Sequence, residues 1–179
     1  VDVCFKTLGI FGFGAIAKNV ARRANGFGMK VLAYDPYVKE VPEEFKSFVT
    51  LSSIDEIIKN ADIISMHLPL TDETRDMISA KEMAAMKEGA YIINTARGGI
   101  VNEHDLYEAV KSGHIAGAAL DVSEQEPMAE DNPLRTLENV IITPHIGMYS
   151  KEAIGAVSLI CAQNAAAKIE GKELQFQVV

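Results

Sequence analysis

The chain has 179 residues, 48% of them apolar, enough for one sizeable core with the usage of an ordinary globular protein. A formal net charge of −8 argues against nucleic acid or an anionic membrane surface as the main partner, while leaving room for an anion at a local site. No apolar run approaches the ~20 residues of a membrane span, no signal peptide is visible, and Cys4 and Cys161 stand far apart without metal-ligand spacing, so a reducing, cytoplasmic setting and no metal are expected.

The chain opens on Val1 and is in its first predicted strand by Leu8, as expected of a segment cut from a longer protein. Residues 1–6 read as a linker remnant. An apolar strand over Leu8 to Phe11 runs into the turn Gly12-Phe13-Gly14, a helix from Ala15 to about Phe27, and a second strand, Val31 to Tyr34, ending on Asp35. That order, with its spacing, is a dinucleotide-binding βαβ unit. Gly12 permits the tight turn and Gly14 lets the backbone approach a pyrophosphate, which then faces the N–H groups of the new helix. Ala17 stands at the third glycine position, where helix–strand packing needs only a small residue. Asp35 is placed to accept hydrogen bonds from a ribose 2′-OH and to repel a 2′-phosphate, which selects NAD over NADP.

Beyond Asp35 comes a charged loop with Pro42 and a short apolar piece at Phe48-Val49. Ser52 or Ser53 caps a helix through Ala61, with Leu51, Ile54, Ile57 and Ile58 at helical spacing. A strand follows over Asp62 to Leu68, then a helix capped by Ser79 through about Lys87 with Gly89 as its C′ residue, and a strand over Tyr91 to Asn94. Asn102 with Asp105 opens a helix that stops at Gly113, and Ala116 to Val122 forms a small-residue central strand. A polar loop from Ser123 to Asn139 leads to a strand, Val140 to Thr143, and an Ala-rich helix from Lys151 to Glu170, closed by Gly171. Alternating strands and helices predict an α/β fold, a doubly wound and mostly parallel sheet of Rossmann type. The nucleotide-binding domain spans residues 7–170, and 171–179 is a return segment.

In such sheets ligands bind beyond the carboxyl ends of the strands. Three residues there suit acid–base and anion-binding work together: Arg97, Glu126 and His145. Hydride transfer to a 2-keto acid needs a cation for the carboxylate, and Arg97 is a planar bidentate donor, although it could equally serve a helix C-terminus or a pyrophosphate. The alkoxide needs a proton, and an ordinary imidazole titrates near 6.5. A carboxylate beside His145 would orient it, a role for Glu126 within an acidic loop that also holds Glu124, Glu130 and Asp131.

The stretches Gly-Ile-Phe-Gly-Phe-Gly-Ala-Ile (9–16), His-Leu-Pro-Leu-Thr (67–71) with Thr74, and Ile-Asn-Thr-Ala-Arg-Gly-Gly (93–99) resemble the D-isomer-specific 2-hydroxyacid dehydrogenase family. Gly-Ala-Ala-Leu-Asp-Val-Ser-Glu-Gln-Glu-Pro (117–127) and Thr-Pro-His-Ile-Gly (143–147) extend the resemblance over essentially the entire chain. It implies an NAD-dependent oxidoreductase acting on a small 2-keto or D-2-hydroxy acid, with Arg97 on the carboxylate and Glu126, rather than Glu124, paired with His145. It also implies pyrophosphate contacts at Ala15 and Ile16, ribose at Asp35, and cofactor contacts at Leu68, Pro69, Thr74, Thr95, Ala96, Arg97, His145 and Gly147. Asp121 is placed near the nicotinamide and His67 in the pocket lining. Relatives carry a second, substrate lobe and dimerise through this one, so the expectation is a homodimer whose substrate lobe is largely missing here. Such a chain binds NAD but turns substrate over poorly. The alternative on the same scaffold is an NAD-sensing corepressor, and formate-type relatives place Gln where Glu126 stands.

Overall fold

In the computed structural model, which describes residues 2–176, seven strands form one parallel sheet: β1 (Thr7–Phe11), β2 (Lys30–Tyr34), β3 (Val49–Leu51), β4 (Ile63–Met66), β5 (Ala90–Asn94), β6 (Ile115–Leu120) and β7 (Val140–Ile142). They are ordered β3-β2-β1-β4-β5-β6-β7. Order reverses between β1 and β4, which makes the crevice beyond Phe11 and Met66 the switch point of the sheet. The helices are α1 (Ala15–Gly26), α2 (Ile54–Asn60), α3 (Ala80–Ala85), α4 (Glu103–Lys111) and α5 (Lys151–Ile169).

Alternation along the strands sorts side chains onto the two faces. Leu8 and Ile10 of β1, with Val31 and Ala33 of β2, pack with Ala17, Ala21 and Ala24 of α1 and with Phe45. Phe11 faces the other way, into the larger core that α2, α3 and α4 build with Ile64, Met66, Ile92 and Leu120. Ala17, where the fingerprint usually has glycine, is fully buried. Gly9 does for α2 what Ala17 does for α1. A Cβ on Gly9 would stand 2.4 Å from Ile57 Cγ2.

Local chemistry sets most boundaries. Ser53 caps α2 in a capping box, its side chain accepting from the Glu56 N–H while the Glu56 carboxylate accepts from the Ser53 N–H. Ser79 and Glu82 do the same for α3. Asn102 caps α4, accepting from the Asp105 N–H at 3.0 Å, and Gly113 follows it with φ +84°. α3 ends earlier than its sequence suggests: Met86 is extended and buried, so the helix stops at Ala85. Gly89 is therefore a turn residue, not the helix C′ glycine. Its φ is +79° and its N–H reaches the His114 carbonyl at 2.8 Å.

The chain divides into two compact units, one ending at His145 and one beginning at Ile146. The sequence reading carried one domain through residue 170. In the second unit α5 is capped by Ser150 and buries none of its side chains. Asn164 there holds Gln175 through two hydrogen bonds, of 2.9 and 3.0 Å. Of the predicted return segment 171–179, residues 172–174 are irregular and 175–176 form a turn, while 177–179 lie outside the described residues. Among the described residues no helix is long and apolar enough to cross a membrane.

Candidate functional site

The loop after β1 is built for close approach. Gly12 has φ +89°, and a Cβ there would lie 2.8 Å from the backbone of His67. Gly14 is the N-cap residue of α1, with nothing within 4 Å of where its Cβ would be. No side chain caps this helix, so its first N–H groups are left for an anion at the positive end of the dipole. Ala15 and Ile16 are exposed at the same point. Phe13, between the two glycines, turns inward, fully buried and edge-on to Phe45 with ring centroids 5.5 Å apart. Burial of a ring this size is worth about 1.5–3 kcal/mol, which makes Phe13 the anchor of the loop.

Asp35 ties the loop to β2. Its Oδ2 accepts from the Phe13 N–H and its Oδ1 from the Tyr37 N–H, both at 2.8 Å. Each oxygen keeps a lone pair for a diol. Across the switch point, Leu68 is buried and Pro69 exposed. The Thr74 hydroxyl donates to the Pro69 carbonyl and accepts from the Thr71 N–H, each at 2.7 Å, so it shapes this loop from within. His67 Nε2 lies 3.0 Å from Ser65 Oγ. Burial alone lowers the His67 pKa from 6.5 to about 4, so the ring is neutral at pH 7.

That depression has a stability consequence. Between pH 6.5 and 4 the unfolded chain binds a proton at His67 that the folded chain refuses. Its contribution is therefore present above pH 6.5 and is lost as pH falls toward 4, in total on the order of 3 kcal/mol. In urea titrations at pH 7 and pH 4.5, His67→Asn should lose less stability on acidification than the parent sequence. Equal losses would refute the assignment.

After β5 the buried amide of Asn94 folds the chain back on itself. Its Nδ2 donates to the Arg97 carbonyl at 2.8 Å and its Oδ1 accepts from the Ala96 N–H at 3.1 Å. The result is a compact loop with Thr95 and Arg97 exposed, the Arg97 Nη1 donating to the Ala96 carbonyl at 2.6 Å. Gly98 then passes against the loop after β6 so closely that a Cβ would sit 1.9 Å from the Ser123 carbonyl oxygen.

The loops after β6 and β7 bring a carboxylate and an imidazole together. His145 Nδ1 and Glu126 Oε2 are 2.7 Å apart. Glu126 Oε1 also accepts from the Ser123 N–H at 3.3 Å. The His145 bond, together with the Ser123 N–H and the charge of Arg97, holds the Glu126 carboxyl below the usual carboxylate range. His145 itself has φ +55°, a conformation that costs a non-glycine residue on the order of 1–3 kcal/mol and that clusters at working sites. Buried Asp121 accepts from the Thr143 hydroxyl, which joins the two loops at their roots. Asp121, Ser123, Glu126, Thr143 and His145 line one open cleft of about 550 Å³.

Arg97, Glu126, His145 and Asp121 thus gather at the carboxyl ends of β5, β6 and β7, and Gly12, Gly14, Ala15, Ile16 and Asp35 at those of β1 and β2. Gly147 belongs to the second unit. Phe13, Asn94 and Gly98 were not singled out from sequence. An apolar residue between two glycines and an Asn ending an apolar strand were the available signals for the first two.

Residues 2–147 match the family model described as D-isomer specific 2-hydroxyacid dehydrogenase, NAD binding domain. Over its full length the chain is 45% identical to a D-3-phosphoglycerate dehydrogenase of Methanocaldococcus jannaschii, of which it covers 34%. It is 43% identical to a glyoxylate reductase of Korarchaeum cryptofilum, with 96% of this chain aligned to 51% of that protein. Among solved structures, the D-lactate dehydrogenase of Lactobacillus jensenii with NAD+ superposes with a TM-score of 0.90 at 34% identity, over 100% of this chain and 57% of that one. The chain therefore spans between a third and a half of the length of these curated relatives.

Proposed function

Since this chain belongs to the D-isomer specific 2-hydroxyacid dehydrogenase family, as its NAD binding domain, we propose that it is the cofactor lobe of an oxidoreductase interconverting a small 2-keto acid and a D-2-hydroxy acid. The observation that carries this is the Glu126–His145 contact at 2.7 Å, in reach of the charge of Arg97.

When bound, NADH supplies the hydride that reduces the keto carbon. Gly12, Gly14, Ala15 and Ile16 take the pyrophosphate, Asp35 the adenosine ribose, and Leu68, Pro69, Thr74, Thr95, Ala96 and Asp121 the remainder of the cofactor. The open N-terminus of α1 and the bare Cα of Gly14 fit that assignment. Arg97 holds the substrate carboxylate through paired N–H donors and polarises the adjacent carbonyl. Glu126 accepts the Nδ1 proton of His145, which leaves Nε2 to hand a proton to the forming alkoxide and to take it back in the reverse direction. We assign the parent protein to the cytoplasm, as a homodimer. No observation favours the corepressor reading, and Glu126 stands against formate-type chemistry.

Fluorescence titration of this chain with NADH, and with NADPH in parallel, tests the reading. Saturable NADH binding with much weaker NADPH binding is expected, because a 2′-phosphate would meet the Asp35 carboxylate. Turnover of 2-keto acids by the chain alone should fall far below that of the two-lobed parent, since the open cleft neither excludes water nor fixes the substrate. Equal affinity for both cofactors would sink the role given to Asp35.

A further inference from the structure

Glu103 lies outside the cleft yet grips the loop that carries Glu126 at two points. Its Oε1 accepts from the Glu124 N–H at 2.6 Å, and Glu124 Oε1 accepts in return from the Glu103 N–H at 3.2 Å. Its Oε2 accepts from Asn132 Nδ2 at 2.8 Å. Asn132 in turn caps the short 3-10 turn Pro133–Thr136, accepting from the N–H of Leu134 at 3.0 Å, and Leu134 is fully buried. One carboxylate on the first turn of α4 thus holds residues 124 and 132, and Glu126 rides on the span between them. The anchor is firm, because α4 buries Leu106 and Val110 and the helix dipole favours an acid at this position. Glu126 and Glu124 are both exposed, so neither is held by burial of its own side chain.

We propose that Glu103 is a positioning residue for the acid–base pair: it acts through the 123–132 loop to keep Glu126 at hydrogen-bond distance from His145. This rests on the pairing of Glu126 with His145 under the proposed function. Glu103→Gln is the sharpest probe. Both groups facing the carboxylate are donors, so an amide satisfies one and presents an N–H to the other, and one arm of the clamp opens.

The readout is the Glu126 carboxyl titration in this chain, followed by side-chain carbon NMR. Charge and geometry pull in opposite directions there. Removing the negative charge of Glu103 would by itself lower the Glu126 midpoint, whereas loosening the hydrogen bond to His145 raises it toward the ordinary carboxylate range. The expected result is a rise of at least half that produced by His145→Gln, with NADH binding unchanged. In the two-lobed parent the same substitution should lower kcat by about 10- to 100-fold with little change in KM. Asn132→Ala opens the other end of the clamp without changing charge and decides the matter should Glu103→Gln fail to fold. A Glu126 midpoint that stays put or falls in these variants, while His145→Gln raises it, overturns the proposal. A midpoint that His145→Gln leaves unmoved instead overturns the pairing beneath it.

Discussion

On the function proposed above, replacing His145 by Gln in a full-length enzyme carrying this domain should lower kcat/KM for 2-keto acid reduction by about 10²- to 10⁴-fold, the usual worth of a positioned general acid. Gln can still donate to Glu126, but as a neutral donor it holds the carboxylate less strongly than an imidazole that can carry charge. The Glu126 carboxyl therefore rises toward its ordinary range, while the α1 N-terminus is untouched and NADH binding should survive. What is lost is the ability to deliver a proton. The two reaction directions should depend oppositely on pH, because reduction consumes the proton on Nε2 and oxidation needs it absent. His67 stays neutral near pH 7, its pKa being pushed down to about 4 by burial. At the acid end, the imidazole beside Glu126 holds that carboxyl below its ordinary value of 4.5. A depressed carboxyl contributes stability that is fully present above the unfolded value and is lost as pH falls through the folded one. Melting curves of the parent sequence and Glu126→Gln should therefore differ at pH 7 and converge in acid. A kcat/KM of His145→Gln within tenfold of the parent would remove His145 from the acid–base role.

The sheet and the residues at its carboxyl ends were legible because they rest on short-range regularities. Apolar runs alternate with helical spacing, Gly12 and Asp35 directly follow a strand, and Arg97, Glu126 and His145 sit in the loops that leave β5, β6 and β7, where a parallel sheet must open to ligand. The choice of Glu126 over Glu124 needed the resemblance. In the structure Glu124 is engaged with the α4 N-terminus while Glu126 meets His145. What stayed hidden are contacts between loops. Glu103 and Glu124 are 21 residues apart and belong to no common periodicity. Gly98 looks like any glycine after an arginine until the loop after β6 is laid across it. Gly89 misled for the converse reason, since a glycine past a helix reads as a cap, and the early extended turn at Met86 is set by burial of that side chain.

Gly98→Ala should be the most disruptive single-methyl change near the site. The added Cβ would fall 1.9 Å from the Ser123 oxygen, 2.2 Å from its carbonyl carbon and 2.7 Å from the Glu124 nitrogen. All three are backbone atoms, so no side chain can swing aside, and the loops after β5 and β6 must part. Overpacking of this kind costs about 1–3 kcal/mol, read as a fall in Tm of about 2–4 °C for each kcal/mol in a domain of this size. The functional loss should be larger than the stability loss. Arg97 is the immediate neighbour of Gly98, and Ser123 donates its N–H to Glu126, so Arg97 and the Glu126–His145 pair, to which the proposed function gives the anion and the proton, would be pushed apart together. A displacement near 1 Å at a reacting centre can cost about 100-fold in rate. Gly14→Ala is the contrasting variant. Its Cβ meets nothing within 4 Å, so Tm should hold while NADH binding weakens, because the methyl would project where the pyrophosphate is expected. Gly98→Ala should show the reverse: lowered Tm and turnover with NADH binding retained. Should Gly98→Ala instead keep both its Tm and its kcat/KM, the two loops would be free to separate, and Arg97 and Glu126 could not owe their common geometry to that contact.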